Sequence, residues 1–306
     1  MRVLDGLQSW PLSWLRERGV ICYERAAGRI RDERGGRLDE SFLYGVVKTR
    51  ELPTAIANAS GHYILLTPGC EPRYFTVEEV ARAFQIPEGS PLMPALVGAK
   101  PLSAIQAVSC LGRSIHVGVA RSIVLMLIRR GVLARGLSYG SAYSGIDTFA
   151  AAVDAELGGE WHYDFASEYS SKVRLCLLKA WKQRGLRPDM CFTNACSNEA
   201  CTAPSVCLWV ISPSCEPFSK RNRVRNEDGQ RASLTDVWTA LSYVRDRRPK
   251  VVVVENVCDV SIVGALTGLL SRIVGYSLEC GPLDPRVVVC APMARDRYFW
   301  VMVRDA

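Results

Sequence analysis

A thiol, a carboxylate and a pair of guanidinium groups, each set at the end of an apolar run, are the groups of this chain best placed for covalent chemistry. The segment Ser212-Pro-Ser-Cys-Glu-Pro-Phe-Ser219 directly follows the apolar residues 206–211. A cysteine at a strand end in a proline-bearing turn, here Cys215, is placed as an exposed nucleophile. Further on, Val251-Val-Val-Val-Glu-Asn-Val257 reads as a buried strand ending in a carboxylate, Glu255, and an amide, Asn256. Near the end of the chain, Arg295-Asp-Arg-Tyr-Phe-Trp300 sets two guanidinium groups, Arg295 and Arg297, before another apolar run. Groups at the ends of successive strands converge on one crevice, so nucleophile, acid and cation can meet there. The run Lys220-Arg-Asn-Arg-Val-Arg225 follows the cysteine. It suits a mobile loop closing on a polyanion, and equally a solvated basic loop.

Two weaker signals lie upstream. Tyr143-Ser-Gly-Ile-Asp-Thr-Phe149 follows an apolar run and opens a helix. A glycine there lets the backbone approach a ligand, and the helix amino end favours an electron-rich group. Glu168 ends the next apolar run, where a carboxylate can accept from ribose hydroxyls. Taken singly, a plain turn and a solvated carboxylate explain these two as well. Cys191, Cys196, Cys201 and Cys207 lack the paired C-x-x-C spacing of a tetrahedral zinc site, so small buried thiols are preferred and no metal is expected.

The elements that must position these groups follow from periodicity. Short apolar runs at 64–66, 137–143, 161–166, 206–211, 251–254, 286–290 and 299–303 read as strands. Helices are expected at 77–84, capped by Thr76, at 115–130, from about 149, at 169–181 and at 234–245. The proline-rich stretch 87–101 reads as a linker or surface crossing, and the first fifty residues as loops and short elements. Strands alternating with helices imply a largely parallel sheet covered on both faces. With 306 residues, 48% of them hydrophobic, the chain can bury a proper core, which excludes disordered and fibrous classes. No apolar run approaches the roughly twenty residues needed to cross a bilayer, and the start lacks a signal peptide's pattern, so a soluble intracellular protein is expected. The net charge of +7 permits a polyanionic partner without requiring one.

Taken together, these segments resemble the DNA cytosine-C5 methyltransferase family. Its motifs run F-x-G-x-G, P-C-Q, E-N-V and Q-x-R-x-R, then a target-recognition region, a late helix and a final G-N-x-V. Here Arg73-Tyr-Phe-Thr-Val-Glu-Glu-Val-Ala-Arg-Ala-Phe-Gln-Ile-Pro87 resembles the late helix, and Leu111-Gly-Arg-Ser-Ile115 the last motif. Both precede the cofactor turn, so the sequence looks like a circular permutation of the family. The resemblance covers roughly residues 50 to 306. It implies an α/β, Rossmann-like S-adenosylmethionine-dependent methyltransferase fold. Residues 1–100 would hold a small N-terminal recognition region with the late-motif helix, and 101–306 the catalytic domain. So small a region is short for reading a long site through the major groove, so relaxed specificity or a protein partner for target recognition is expected.

By this resemblance Cys215 adds to C6 of a cytosine flipped out of double-stranded DNA, because C5 alone is a poor nucleophile. Glu255 holds N3 and the exocyclic amine, Arg297 contacts O2, Arg295 supports the loop and Asn256 orients the turn. Tyr143, Gly145 and Ile146 match the cofactor turn, Glu168 the ribose carboxylate and Tyr169 an aromatic on adenine, while Asn194 falls near the adenine-binding acid. Lys220, Arg221, Arg223 and Arg225 would meet phosphates. The departures are Ile211-Ser212 for the glycine pair before P-C, Ser214 for its proline, Glu216 for the glutamine of P-C-Q, Met293 for that of Q-x-R-x-R, and Arg113 for the asparagine of G-N-x-V.

Glu216 and Arg113 stand where the family meets the cofactor's methyl end. A guanidinium beside a sulfonium is a like-charge contact. Either Arg113 pairs with Glu216 or a phosphate and ordinary methyl is transferred, or Arg113 grips the carboxylate of carboxy-S-adenosylmethionine and the product is 5-carboxymethylcytosine. A tRNA cytosine methyltransferase and an inactive DNA-binding homologue remain alternatives. That Cys215, Glu255 and Arg297 are all present favours an enzyme.

Overall fold

The apolar runs at 206–211 and 251–254 become adjacent parallel strands, and the rest of the sheet is laid out on either side of them. In a computed structural model the structure describes residues 21–23, 46–47, 63–65, 73–98, 100–193, 202–214, 227–293 and 295–305. Cys215, Glu216, Asn194, Lys220, Arg221, Arg223 and Arg225 lie outside these described residues. Four short N-terminal strands, β1 (Ile21–Tyr23), β2 (Val46–Val47), β3 (Tyr63–Leu65) and β4 (Arg73–Tyr74), pair antiparallel in the order β2-β1-β3-β4.

Four helices follow: α1 (Val77–Ala83), α2 (Leu92–Val97), α3 (Ala104–Arg113) and α4 (Val117–Arg129). Helix α1 starts as expected at Thr76, whose hydroxyl accepts from the Glu79 amide while the Glu79 carboxylate accepts from the Thr76 amide. Ser103 and Gln106 form the same reciprocal box at the start of α3. Stretch 87–101 is more than the expected linker. Leu92, Met93, Ala95 and Leu96 of α2 are buried, because apolar residues between the prolines face the core.

The main sheet begins with β5 (Leu137–Ala142), α5 (Thr148–Leu157), β6 (Trp161–Ser167), α6 (Ser171–Trp181) and β7 (Cys191–Phe192). It continues with β8 (Leu208–Ile211), α7 (Glu227–Arg247), β9 (Val251–Val257) and α8 (Val260–Leu270). It closes with β10 (Tyr276–Leu283), α9 (Pro285–Val289) and β11 (Arg297–Arg304). The strand order is β7-β6-β5-β8-β9-β11-β10. Strands β5 to β9 are parallel, whereas β11 runs antiparallel to both β9 and β10. This is a Rossmann-like α/β sheet, parallel except for β11, as the expected fold class requires.

The C-terminal third departs from expectation. Residues 286–290 do not form a strand. Asp284 caps a short helix there by accepting from the Arg286 amide, and Pro285 at its first position has no amide to lose. The strand lies earlier, at Tyr276–Leu283, on the sheet edge. Its half-exposed residues, with Gly281 and Pro282 among them, hide the usual apolar alternation.

Strand alternation divides the core. Leu208, Val210, Val251, Val253, Phe299 and Val301 belong to a cluster shared with α1 to α6. Trp209, Ile211, Val252, Val254, Trp300 and Met302 belong to a second cluster shared with α7 and α8. The unbroken valine run 251–254 is the signature of a strand buried on both faces. No single helix among the described residues is long and apolar enough to cross a membrane.

At the start of α4, His116 is buried and its ring stacks on Phe84, with centroids 5.8 Å apart. Its Nε2–H donates to the Ala83 carbonyl at 3.1 Å, and Nδ1 has no partner. Burial, then the charge of Arg295, holds its pKa down to about 4, against the opposing bond to Ala83. A second proton would place an N–H where nothing accepts it. The unfolded chain takes up this proton near pH 6.5 and the folded one only near 4, so native stability falls as pH drops through that window. The expected loss is roughly 3 kcal/mol between neutral pH and pH 4, and His116→Gln should remove that share of the slope in urea unfolding followed against pH.

Candidate active site

Register places the site. Ala142 of β5 pairs with Ile211 of β8 and with Ser167 of β6, and Ile211 pairs with Val254 of β9. The carboxyl ends of the parallel strands are therefore level, and Tyr143, Glu168, Ser212 and Glu255 all follow this common edge. Because β11 runs the other way, its first residues come to the same edge: Arg297 pairs with Val257 and Phe299 with Glu255.

Alternation then sorts the side chains. Glu255 continues the face of Val251 and Val253, and Ser212 that of Leu208 and Val210, so the two meet. Ser212 Oγ donates to Glu255 Oε2 at 2.5 Å. Arg297, on the face of Phe299 and Val301, lies with its Nε 3.1 Å from Glu255 Oε1. The Glu255 side chain is 5% exposed and that of Arg297 17%, so the pair is shielded from solvent. Both Glu255 oxygens accept, so a donor role toward a base requires one of these contacts to be exchanged. Asn256 is buried on the opposite face; its Nδ2 donates to the Pro213 carbonyl at 3.2 Å and its Oδ1 accepts from the Val257 amide at 2.8 Å. It thus ties the strand end to the turn, two residues before Cys215.

Arg295 does not point into this group. It is buried, donating from Nε at 3.1 Å and from an Nη at 2.6 Å to the Ser114 carbonyl, with its guanidinium 5.4 Å from the Phe84 ring centroid. It braces the loop between α3 and α4 against the start of β11, which fits a supporting residue.

On the other side of the crevice, three residues of the 143–147 turn are left-handed: Tyr143 (φ +53°), Gly145 (+56°) and Asp147 (+48°). A side chain at Gly145 would be strained, although nothing lies within 4 Å of its Cβ position, so the turn faces open space there. Ile146 is fully buried. The Gly145 amide donates to Glu168 Oε2 at 3.0 Å, and the Ser170 amide to Oε1 at 2.8 Å. Burial raises the Glu168 carboxyl above its ordinary value, opposed by these two amides and by the charges of Arg174 and Arg113.

Two held positions leave the outer lone pairs of Glu168 for other donors, which is what a ribose diol requires. Tyr169 is 78% exposed beside it, its backbone fixed by Arg174. A bare glycine turn, a fixed carboxylate and an exposed ring fit S-adenosylmethionine. Arg113 is exposed, and its charge acts on Glu168 and on Cys110. Cys191 is buried and Cys207 half-buried; burial pushes the first thiol up to about 11 and raises the second.

The sequence reading noted Ser212 only as a departure and did not single out Asp147, which occupies the second glycine of the F-x-G-x-G pattern. Polar residues replacing glycines beside the motifs were the available signal. Arg295→Met keeps the bulk but leaves the Ser114 carbonyl without the guanidinium. It should cost about 1–3 kcal/mol in denaturant unfolding. Removing the nearby charge should also raise the pKa of His116 above its value of about 4, read by NMR titration of the ring.

No protein-family model matches the sequence, and no curated protein sequence matches it significantly. Among solved structures, the Dnmt2 methyltransferase of S. pombe is 20% identical with a TM-score of 0.41, covering 56% of this chain and 51% of that one. A putative DNA modification methyltransferase from an E. coli prophage is 14% identical with a TM-score of 0.38, covering 55% and 47%. The precorrin 8w decarboxylase of Methanobacterium thermoautotrophicum is 12% identical with a TM-score of 0.39, covering 60% and 89%. The matched region thus spans about half the length of the Dnmt2 chain. What these proteins share with the present chain is a likeness of fold.

Proposed function

We propose that the protein is a DNA cytosine-C5 methyltransferase acting through a covalent adduct on Cys215. The observation that carries this reading is the convergence of Glu255, Arg297 and Asn256 on the turn leading to Cys215. A carboxylate paired with a guanidinium beside a cysteine-bearing turn supplies the three groups that cytosine activation needs.

In this reading the target base leaves the duplex, and its Watson–Crick edge meets Glu255 and Arg297. The base takes over the contacts that Ser212 and Arg297 make with Glu255. Glu255 then holds N3 and the exocyclic amine, and Arg297 turns to O2. The Cys215 thiolate adds at C6. The negative charge that develops on the ring is held by Arg297 at O2 and by a proton that Glu255, protonated as the base replaces its ion pair, donates to N3. S-adenosylmethionine, when bound, supplies the electrophilic methyl group for C5. Loss of the C5 proton and expulsion of Cys215 restore the aromatic base. Glu168 holds the ribose, Tyr143, Gly145 and Ile146 form the turn beneath the cofactor, and Tyr169 and Asn194 flank adenine. Lys220, Arg221, Arg223 and Arg225 neutralise phosphates of double-stranded DNA.

We further propose that the motif order is permuted and that residues 1–100 read the target alone or with a protein partner. The bond from Arg295 to Ser114 supports the permutation, since it joins the family's last motif to the start of the final strand across 181 residues of sequence. Arg113 keeps a second product in view: a guanidinium on the cofactor side could receive the carboxylate of carboxy-S-adenosylmethionine and yield 5-carboxymethylcytosine. Methyl transfer is the better supported, because Glu168 already offers Arg113 an opposite charge.

Nucleoside mass spectrometry of duplex DNA incubated with the protein and S-adenosylmethionine should show 5-methylcytosine, with none formed by Cys215→Ser. Turnover by Cys215→Ser, or labelling of tRNA but not of DNA, would sink the assignment. With both cofactors present, preference for the carboxylated one that disappears in Arg113→Asn would establish the second product.

A further inference from the structure

Beneath the 143–147 turn lies a carboxylate that no step above uses. Asp147 is 5% exposed and caps α5 by accepting from the Ala150 amide at 3.0 Å. It also accepts from Tyr139 Oη at 2.9 and 3.0 Å, and from Tyr163 Oη through its second oxygen. Both phenols are fully buried in an aromatic cluster with Trp161 and Trp181. Burial, then the charge of Asp147, drives them well above their ordinary pKa, so they remain neutral donors. From Tyr163 the contacts continue. Ser141 Oγ lies 2.7 Å from Tyr163 Oη, Ser144 Oγ lies 2.6 Å from Ser141 Oγ, and the Ser167 amide donates to Ser144 Oγ at 3.1 Å.

A phenol or a hydroxyl has one proton to give. Tyr163 gives its proton to Asp147, which leaves Ser141 to share its one proton between Tyr163 and Ser144. Ser144 Oγ donates its own proton to the Ser167 carbonyl at 3.1 Å, so it accepts from both Ser141 and the Ser167 amide. A continuous run of contacts thus joins Asp147 to the backbone of Ser167. Burial raises the Asp147 carboxyl above its ordinary value, and the phenols and the Ala150 amide that donate to it oppose that rise. The far end of the run is fixed a third time, since the Ser144 amide also donates to the Ser167 carbonyl at 2.9 Å. Ser167 immediately precedes Glu168, and Ser144 immediately precedes Gly145, whose amide holds the Glu168 carboxylate.

We propose that Asp147 is a positioning residue for cofactor binding, its buried carboxyl anchoring a hydroxyl chain that ties the 143–147 turn to the strand end bearing Glu168. The inference rests on the S-adenosylmethionine reading given above. Glycine at this position would accommodate the left-handed φ with less strain, but would supply no acceptor to the two phenols and no helix cap. Aspartate tolerates the conformation and adds the carboxyl, so hydrogen bonding takes over from glycine's freedom in shaping the turn.

The test is calorimetric titration of the full chain with S-adenosylmethionine, alongside duplex DNA affinity and thermal unfolding. Tyr163→Phe keeps the ring and breaks the chain, while Asp147→Asn keeps the cap and removes the carboxyl. Each should weaken cofactor binding by about tenfold with DNA affinity unchanged. Equal cofactor affinity in wild type and both variants would overturn the proposal, and so would parallel loss of cofactor and DNA binding, which marks a merely structural role. If the Asp147 variant does not fold, Ser141→Ala decides, since it removes a middle link and leaves carboxylate and phenols in place. Wild-type protein that binds no S-adenosylmethionine would overturn the methyltransferase reading itself, a result distinct from variants that bind as well as wild type.

Discussion

The level register of β5, β8 and β9 is the constraint on which the rest of this structure depends. Parallel strands joined in the order Ala142 to Ile211 to Val254 end together, and each chain segment that leaves that edge enters the same crevice. A shift of one residue would turn Glu255 to the face of Val252 and Val254, away from Ser212 and Arg297. The buried valines of β9 resist such a slip because both faces are packed. Fixing the core thus fixes the site.

The two sides of the crevice solve the same problem in different ways. Burying a carboxylate is costly unless donors surround it. On the β8–β9–β11 side, Glu255 is matched by a guanidinium and a hydroxyl, which in the proposed reaction give way to the base. On the β5–β6 side, Asp147 is matched by two phenols and an amide in a fully packed cluster, with no room for exchange. Glu168 is intermediate, buried but held only by two backbone amides, one on each oxygen. Exchangeable partners suit a group that must change hands during a reaction. Fixed partners suit a group that must stay still.

The helices before β5 are part of the same construction. Residues of α1 to α4 share a continuous apolar cluster with the sheet, and Arg295 fastens the loop between α3 and α4 to the start of β11. Ser114 and Arg295 are far apart in sequence, yet the contact brings early and late segments together beside the Glu168 edge. Arg113, the last residue of α3, is carried there with that loop, which is why its charge reaches Glu168 and not only its helical neighbours.

Much of this was legible in the sequence because strongly apolar strands and cap residues are local signals. The strands expected at 137–143, 161–166, 206–211 and 251–254 stand at 137–142, 161–167, 208–211 and 251–257, and the helix expected at 115–130 at 117–129. These and the cap at Thr76 follow from composition and period to within a few residues. So did the placement of Glu255 and Glu168 at strand ends. The strand at 276–283 was not legible, since an edge strand exposes part of its surface and lacks a clear period. The helix at 285–289 was misread as a strand, because three valines carry a β signal that Asp284 and Pro285 override by capping. Sequence by itself determined the residue types at the strand ends and the alternation of elements. Only the tertiary structure decided that β11 runs backwards between β9 and β10, that Arg297 faces Glu255 while Arg295 turns away to Ser114, and that Asp147 anchors a buried hydroxyl chain. Those outcomes depend on strand direction, register and long-range donor–acceptor matching, which no local window of sequence contains.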